Sequence, residues 1–277
     1  MNYLILKVGN LYIIQIIHQK VWDIIMAVTV SGREIGGQRC IQDGLVCHYD
    51  AGNYNSMLSD GPALYWNDLS DSNCNLVRQG SPYTPLTTID GVKCLEFNGS
   101  GYWQSLSNED NVDFTDDMTL EIWYYWEGRL ATRKTIFEKA GNTYNSYEQE
   151  VAITIEETGN GRDASLYRRY NSYDYMYTSG NCFTDDGWNH IVFTAETDGI
   201  NADGDVYVNG SATSVASYSD RSNSSITAAG AVKIGTGYAG TMATDAGAIA
   251  IVRGYDRMLS DEERLYNFNV ERGRFGI

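Results

Sequence analysis

Three groups of side chains in this sequence have the type and spacing to do chemistry. The first is the run Asp198-Gly-Ile-Asn-Ala-Asp-Gly-Asp205, with oxygen donors at Asp198, Asn201, Asp203 and Asp205. Calcium takes several hard oxygen ligands, and close-spaced Asp and Asn can supply them from one loop. The run meets the EF-hand order only in part and lacks its distal Glu. An acidic turn that uses Asp and Asn for their tolerance of positive φ accounts for the same residues. The second group is a tyrosine cluster: Tyr144 and Tyr147, then Tyr167, Tyr170, Tyr173, Tyr175 and Tyr177, with Arg168 and Arg169 among them. Tyr173, Tyr175 and Tyr177 are two apart, so an extended chain sets them on one face, opposite Ser172, Asp174 and Met176. Such rings stack on sugars or fill a protein interface, and Arg169 can pair with a partner carboxylate. A half-buried strand rich in β-favouring residues is the plainer reading. The third group is Glu148-Gln-Glu150, the nearest approach to the paired carboxylates, about 5 Å apart, of a retaining glycosidase. A solvated strand start is the plainer reading of these residues. His190, after Trp188, is expected to pack or to bond to backbone. No nucleophile elbow, phosphate loop or dinucleotide fingerprint is present.

The elements that position these groups are strands. Leu120, Ile122, Tyr124 and Trp126 alternate with Glu121, Trp123, Tyr125 and Glu127, which gives one apolar and one mixed face. Val151, Ile153 and Ile155 repeat the pattern, and His190–Ala195 is apolar nearly throughout, as a central strand would be. Asn209-Gly210, between two strand-like runs, suits a type I′ turn. Short strands bounded by Gly, Asn, Asp and Ser continue to Val252, which predicts an all-β sandwich or barrel. One helix is predicted near the end. Ser260 and Glu263 form a capping box, Leu265 and Phe268 are expected to share a packing face, and Gly273 is the expected stop.

The formal charge is −16, from 20 Lys plus Arg against 36 Asp plus Glu. That sign argues against a nucleic-acid partner and against adsorption to anionic lipid. Cys40, Cys47, Cys74, Cys94 and Cys182 contain no C-x-x-C pair and are read as buried or half-buried free thiols, as in a reducing cytosol. The three histidines lack zinc-ligand spacing. Residues 1–25 are apolar but interrupted by Lys7, Gln15, His18, Gln19, Lys20 and Asp23, too broken for a membrane span. No convincing secretory signal is read there. Met26 is expected to be the true start, or residues 1–25 a docking arm. The expected organisation is an N-terminal arm or mis-assigned start over 1–37, outside one domain over 38–277.

Five segments, in order, carry a resemblance to a known family. They are Gly44–Asn53, Leu95-Glu-Phe-Asn-Gly-Ser100, Met118-Thr-Leu-Glu-Ile-Trp123, Trp188–Val192 with Tyr207-Val-Asn-Gly210, and Ile249–Glu263. The series resembles the laminin-G-like, concanavalin A-like lectin/glucanase superfamily over nearly everything after residue 43. The resemblance implies a two-sheet antiparallel jelly-roll sandwich with a short C-terminal α-helix. Related hydrolases carry Glu-x-Asp-x-Glu on a strand, and no such triplet occurs, so the chain is read as not an enzyme. The loop after Phe97, where relatives often carry Asp, is Asn98-Gly-Ser-Gly-Tyr102, which weakens a metal claim there. The family's Trp-His-His is Trp188-Asn189-His190.

The tail Leu265–Gly276 is similar to the ends of laminin-G-like domains encoded by tailed, often marine, bacteriophages. That likeness rests on fold analogy and one motif. It implies a virion structural protein (a capsid fibre, decoration or tail appendage) assembled in the host cytoplasm. Its expected partners are other virion proteins and host surface glycans, with a homo-oligomer open. No cofactor is required by this reading, and calcium at the Asp198–Asp205 loop is the one candidate. The alternative is an extracellular bacterial carbohydrate-binding lectin module.

Overall fold

The computed structural model describes residues 2–8, 11–17, 28–30, 33–35, 40–57, 65–114, 116–127, 133–141, 149–158, 161–170, 172–178, 182–196, 204–219, 230–237 and 247–277. The chain divides into two compact units, Met1–Gln42 and Asp43–Ile277. The first holds two antiparallel pairs: β1 (Asn2–Val8) with β2 (Leu11–Ile17), and β3 (Val28–Val30) with β4 (Arg33–Ile35).

The second unit opens with β5 (Leu45–Asp50), β6 (Tyr65–Trp66), β7 (Leu76–Gln79), β8 (Leu86–Ile89) and β9 (Val92–Glu96). Next come β10 (Tyr102–Ser105), β11 (Met118–Trp126), β12 (Lys134–Gly141), β13 (Gln149–Thr158) and β14 (Gly161–Tyr170). β15 (Ser172–Thr178), β16 (Gly187–Ala195), β17 (Val206–Val208) and β18 (Ser211–Thr213) follow. The unit ends with β19 (Val215–Ser219), β20 (Gly230–Ile234), β21 (Ala248–Tyr255) and one helix, α1 (Asp261–Phe275). Nine strands form one sheet in the order β19-β15-β14-β13-β12-β20-β10-β7-β6. The other runs β18-β17-β16-β11-β21-β9-β8, with β5 also on β21, and every pairing in both is antiparallel.

Period-two patterning decides which side chains fill the space between the sheets. Leu120, Ile122, Tyr124 and Trp126 of β11 and Val151, Ile153 and Ile155 of β13 all lie in one continuous core. The nine-stranded sheet answers with a lateral row in register: Trp103, Ile234, Phe137, Ile153, Leu166 and Met176. This is the predicted all-β double layer. β16, flanked by β17 and β11, is buried from Trp188 to Ala195, as expected of a central strand.

Local chemistry fixes the connections. Asn209 and Gly210 both take positive φ, at 52° and 77°, and join β17 to β18 in a two-residue turn. A Cβ on Gly210 would sit 2.6 Å from the Phe268 ring, so glycine serves both the turn and the seating of α1. Ser260 caps α1 by accepting from Glu263 N–H, while the Glu263 carboxylate accepts from Ser260 N–H. Two helix expectations are corrected. The stop is Gly276, left-handed at φ 73°, whereas Gly273 lies inside the last turn. Leu265 is 48% exposed, because the buried stripe runs through Arg264, Asn267, Phe268 and Phe275, and each residue turns the helix by about 100°.

Candidate functional site

The outward face of the nine-stranded sheet carries a second lateral row, one residue out of phase with the core row. From one edge it passes Tyr65, Val77, Gln104 and Lys233. It continues through Glu138, Ala152, Tyr167 and Tyr175. The assignment follows from alternation, since Trp66, Leu76, Trp103, Ile234, Phe137, Ile153, Leu166 and Met176 beside them are core residues. Tyr65 is exposed. Val77, Gln104, Lys233, Tyr167 and Tyr175 are half-buried, and Glu138 and Ala152 are buried.

At the β14–β15 end the Tyr167 and Tyr175 rings pair with centroids 5.9 Å apart, tilted by 36°. The Arg133 guanidinium lies 5.1 Å from the Tyr167 ring centroid and grips Glu156 with two bonds, Nε to Oε2 at 3.2 Å and Nη2 to Oε1 at 2.9 Å. Arg133 is thereby held as a flat cationic rest beside the ring. Burial pushes the Tyr167 phenol up, so it stays a neutral hydroxyl that can donate and accept. Midway along the row, Lys233 Nζ stands 3.8 Å from Glu138 Oε2. Thr154, on the adjacent outward row opposite Thr135 and Ser165, is 4% exposed, and its hydroxyl has no partner among the described residues. The accessible groups of the row are the Tyr167 and Tyr175 rings and the half-buried Lys233 and Gln104 side chains, and aromatic planes beside polar groups are what a polyhydroxyl ligand uses.

The structure places the sequence-predicted residues as follows. Tyr167 and Tyr175 are brought together as cross-strand partners. Arg169 stands opposite Tyr173 in backbone register, Tyr170 opposite Ser172, and Tyr177 opposite Ser165; the side chains of Arg169, Tyr170, Tyr173 and Tyr177 lie outside the described residues. Asp198, Asn201 and Asp203 also lie outside them. Asp205 is exposed, and its carboxylate accepts from the Tyr207 hydroxyl at 3.2 Å. No group of three metal-ligating side chains occurs among the described residues. In the Asn98–Tyr102 loop, Asn98 Oδ1 accepts from Ser100 N–H and Gly101 N–H, both at 3.1 Å, which makes that side chain a turn former. Glu148 lies outside the described residues, as does the side chain of Glu150.

Sequence reasoning missed a second polar cluster, on the outward face of the eight-stranded sheet beneath α1. Glu121 Oε1 accepts from Arg253 Nη1 at 2.8 Å and lies 3.0 Å from His190 Nε2; its Oε2 accepts from Asn267 Nδ2 at 2.8 Å. Arg253 also donates to Glu271 at 2.5 Å and to His48 Nε2 at 3.2 Å, while Arg274 binds Asp50 through both nitrogens. Burial alone would raise the Glu121 carboxyl, but Arg253, His190 and Asn267 hold it well below the usual carboxylate range. His190 therefore packs, with its ring 4.6 Å from Trp123, and meets a carboxylate rather than only backbone. Glu121, His190 and Arg253 are each 1% exposed. The set resembles catalytic machinery in composition, yet it fastens a helix. Trp123 stacks on Phe275 at 3.8 Å above it. No helix among the described residues is long and apolar enough to cross a membrane.

Residues 97–263 match the protein family described as the concanavalin A-like lectin/glucanases superfamily. No curated protein matches the chain. Among solved structures, the botulinum neurotoxin serotype D/C binding domain is similar at 14% identity and a TM-score of 0.58, over 82% of this chain and 52% of that one. The binding domain of botulinum neurotoxin DC in complex with rat synaptotagmin II matches at 15% and 0.59, over 83% and 52%. The same domain in complex with SialylT matches at 14% and 0.56, over 82% and 52%. The chain spans about half the length of these structures, and at such identity the likeness concerns the fold. Two antiparallel layers, a single capped C-terminal helix and a family match over more than half of the residues converge: the chain belongs to the concanavalin A-like lectin/glucanases superfamily.

Proposed function

We propose that this protein is a non-catalytic, lectin-like module that binds glycans on the outward face of its nine-stranded sheet. The observation that carries this reading is the half-buried Tyr167–Tyr175 ring pair, set in one row with the half-buried polar side chains of Gln104 and Lys233 on the outward face of the nine-stranded sheet, whereas α1 packs on the other sheet. Ring faces take the apolar side of a sugar, and the hydroxyls and amides around them take its rim. The fold neighbours support the reading in kind, since they are binding domains and one was solved in complex with SialylT. Against catalysis, three of the buried acids, Glu121, Asp50 and Glu138, stand in ion pairs with Arg253, Arg274 and Lys233, and Asp68, whose carboxyl burial raises, is taken up by the backbone N–H groups of His48, Ser70 and Cys74. A hydrolase's acid needs the opposite setting, one that raises its affinity for a proton.

The test is an array of neutral and sialylated glycans probed with the isolated protein and with Tyr175→Ala. Binding should weaken about tenfold in the variant, the equivalent of ~1.4 kcal/mol, and Tyr175→Phe should keep most of it. Circular dichroism confirms that the variants fold. An array on which the wild type binds nothing contradicts the reading.

The wider role we propose is structural: the module sits on a bacteriophage particle, assembled in host cytoplasm, where it meets other virion proteins and host surface glycans. The tail from Leu265 to Gly276 supports this, as do five cysteines that are all free thiols, four buried and one half-buried, as a reducing compartment permits. Copurification with particles at a fixed copy number is the expected result. Export from a bacterium with a processed N-terminus would point instead to a secreted lectin. Calcium at Asp198, Asn201, Asp203 and Asp205 stays a proposal of the same rank; a rise in melting temperature with calcium, lost in Asp203→Ala, is its signature.

A further inference from the structure

One cation stands apart from the others. Arg133, Arg253, Arg257, Arg264 and Arg274 each hold a carboxylate. Arg78 holds none among the described residues, although the chain carries 36 acidic side chains. It lies on the core side of β7, opposite Trp103, where a charged residue is rare unless paired. Its side chain is half-buried, and its Nε–H is buried without an acceptor. A donor left unmet in this way opposes folding. The guanidinium is instead held flat on an aromatic ring, with Arg78 Cζ 3.5 Å from the centroid of Tyr83. Tyr83 is itself 52% exposed. A guanidinium stacked like this keeps its N–H edge for a planar acceptor with two oxygens.

The polar groups beside the pair are turned into their own loops. Asn98 Nδ2 donates to Tyr83 O at 3.4 Å, and Asn98 Oδ1 accepts from Ser100 N–H and Gly101 N–H. Thr84 is 3% exposed and wedged against Gly101, where an added Cβ would come 2.5 Å from its Oγ1. A sugar acid would therefore satisfy its carboxylate here and gain little for its ring hydroxyls. An acidic side chain on a protein needs only the fork. Arg and Tyr are also residue types that anchor protein interfaces.

We propose that Arg78 and Tyr83 anchor a protein-docking site that receives one Asp or Glu side chain of a partner. The site is separate from the outward face of the nine-stranded sheet, and the inference does not rest on the glycan-binding reading.

The experiment is an NMR titration of the labelled full chain with N-acetylglutamate N-methylamide, which carries a single side-chain carboxylate. Its glutamine analogue is the neutral comparator, and N-acetylneuraminic acid is the sugar comparator. The glutamate compound should shift Arg78 Nε–H and the Tyr83 ring saturably, with half-saturation in the millimolar range. The glutamine analogue should shift neither, and the sugar acid should bind no more tightly than the glutamate compound. Arg78→Lys, which keeps the charge but loses the fork, should weaken binding about tenfold, read at the Tyr83 ring. Arg78→Met should abolish binding and leave Tm unchanged or higher, because it removes a buried N–H that has no acceptor. The absence of a saturable shift up to ~100 mM, an equal response to the glutamine analogue, or undiminished binding by Arg78→Lys overturns the inference. Tighter binding of N-acetylneuraminic acid overturns it too, by making the site one for sugar acids. A fall in Tm of more than ~4 °C in Arg78→Met would assign the arginine to the fold instead.

Discussion

Replacing Glu121 by alanine is expected to lower the stability of the domain by about 3–5 kcal/mol, the usual cost of removing one partner from a buried ion pair. The carboxylate is 1% exposed and answers Arg253, His190 and Asn267 at once. Without it, Arg253 loses this buried carboxylate while its bonds to Glu271 and His48 stay, and Asn267 loses the Glu121 acceptor. Asn267 and Glu271 belong to α1, so the damage falls on the helix–sheet contact, where Phe268 and Phe275 cover Trp123. Urea unfolding of the variant should show the midpoint shift. Joint replacement of Glu121 and Arg253 by apolar residues of similar volume should recover much of the loss, because no unpaired charge remains buried. A change below about 1 kcal/mol in the single variant would mean that the cluster does not fasten the helix.

The second large effect is expected on acidification. Burial and the neighbouring Arg253 lower the His48 imidazole from 6.5 to about 3, and its Nε2 must stay unprotonated to accept from Arg253 Nε–H. The unfolded chain takes up this proton near pH 6.5 and the folded chain resists it until about pH 3, so protons favour unfolding throughout that window. Stability is therefore complete above pH 6.5 and declines as pH falls toward 3, by an amount on the order of a few kcal/mol. Glu121 and Asp50 add to the decline at its lower end. Both are lowered despite burial, Glu121 chiefly by Arg253 and Asp50 by Arg274, so their contribution is present above the ordinary carboxylate range and fades as they protonate. His48→Gln, which keeps an acceptor without the titration, should flatten the upper part of the profile. An unchanged profile in that variant would assign the acid sensitivity to other groups.

What the sequence discloses here is what depends on neighbours in the chain. Alternation along β11 and β13, the Asn209-Gly210 turn and the Ser260–Glu263 box each involve groups within a few residues, and the structure realises all three. The face of α1 was less legible. A three-residue spacing joins Leu265 to Phe268, but it is Arg264 that lies on the buried stripe, donating to Leu259 O and Asp261 and crossing the Tyr207 ring at 3.9 Å. Its long stem let a charged residue take the inner position. Glu121 read as a polar residue on a mixed face because its partners lie 69, 132 and 146 residues away. The outward row escaped notice for the same reason. Tyr167 and Tyr175 pair across adjacent strands, but Tyr65 joins their row only because β20 inserts between β12 and β10. Strand order of that kind leaves no periodic trace.

The central claim, that sugars are held on the outward face of the nine-stranded sheet, is tested most directly by amide chemical-shift mapping of the labelled protein during titration with a neutral oligosaccharide that it binds. The account predicts perturbations concentrated at Tyr167, Tyr175, Lys233, Gln104 and Tyr65. Perturbations confined to the α1 side around Trp123 and Phe275, or to the loop at Asp205, would contradict it.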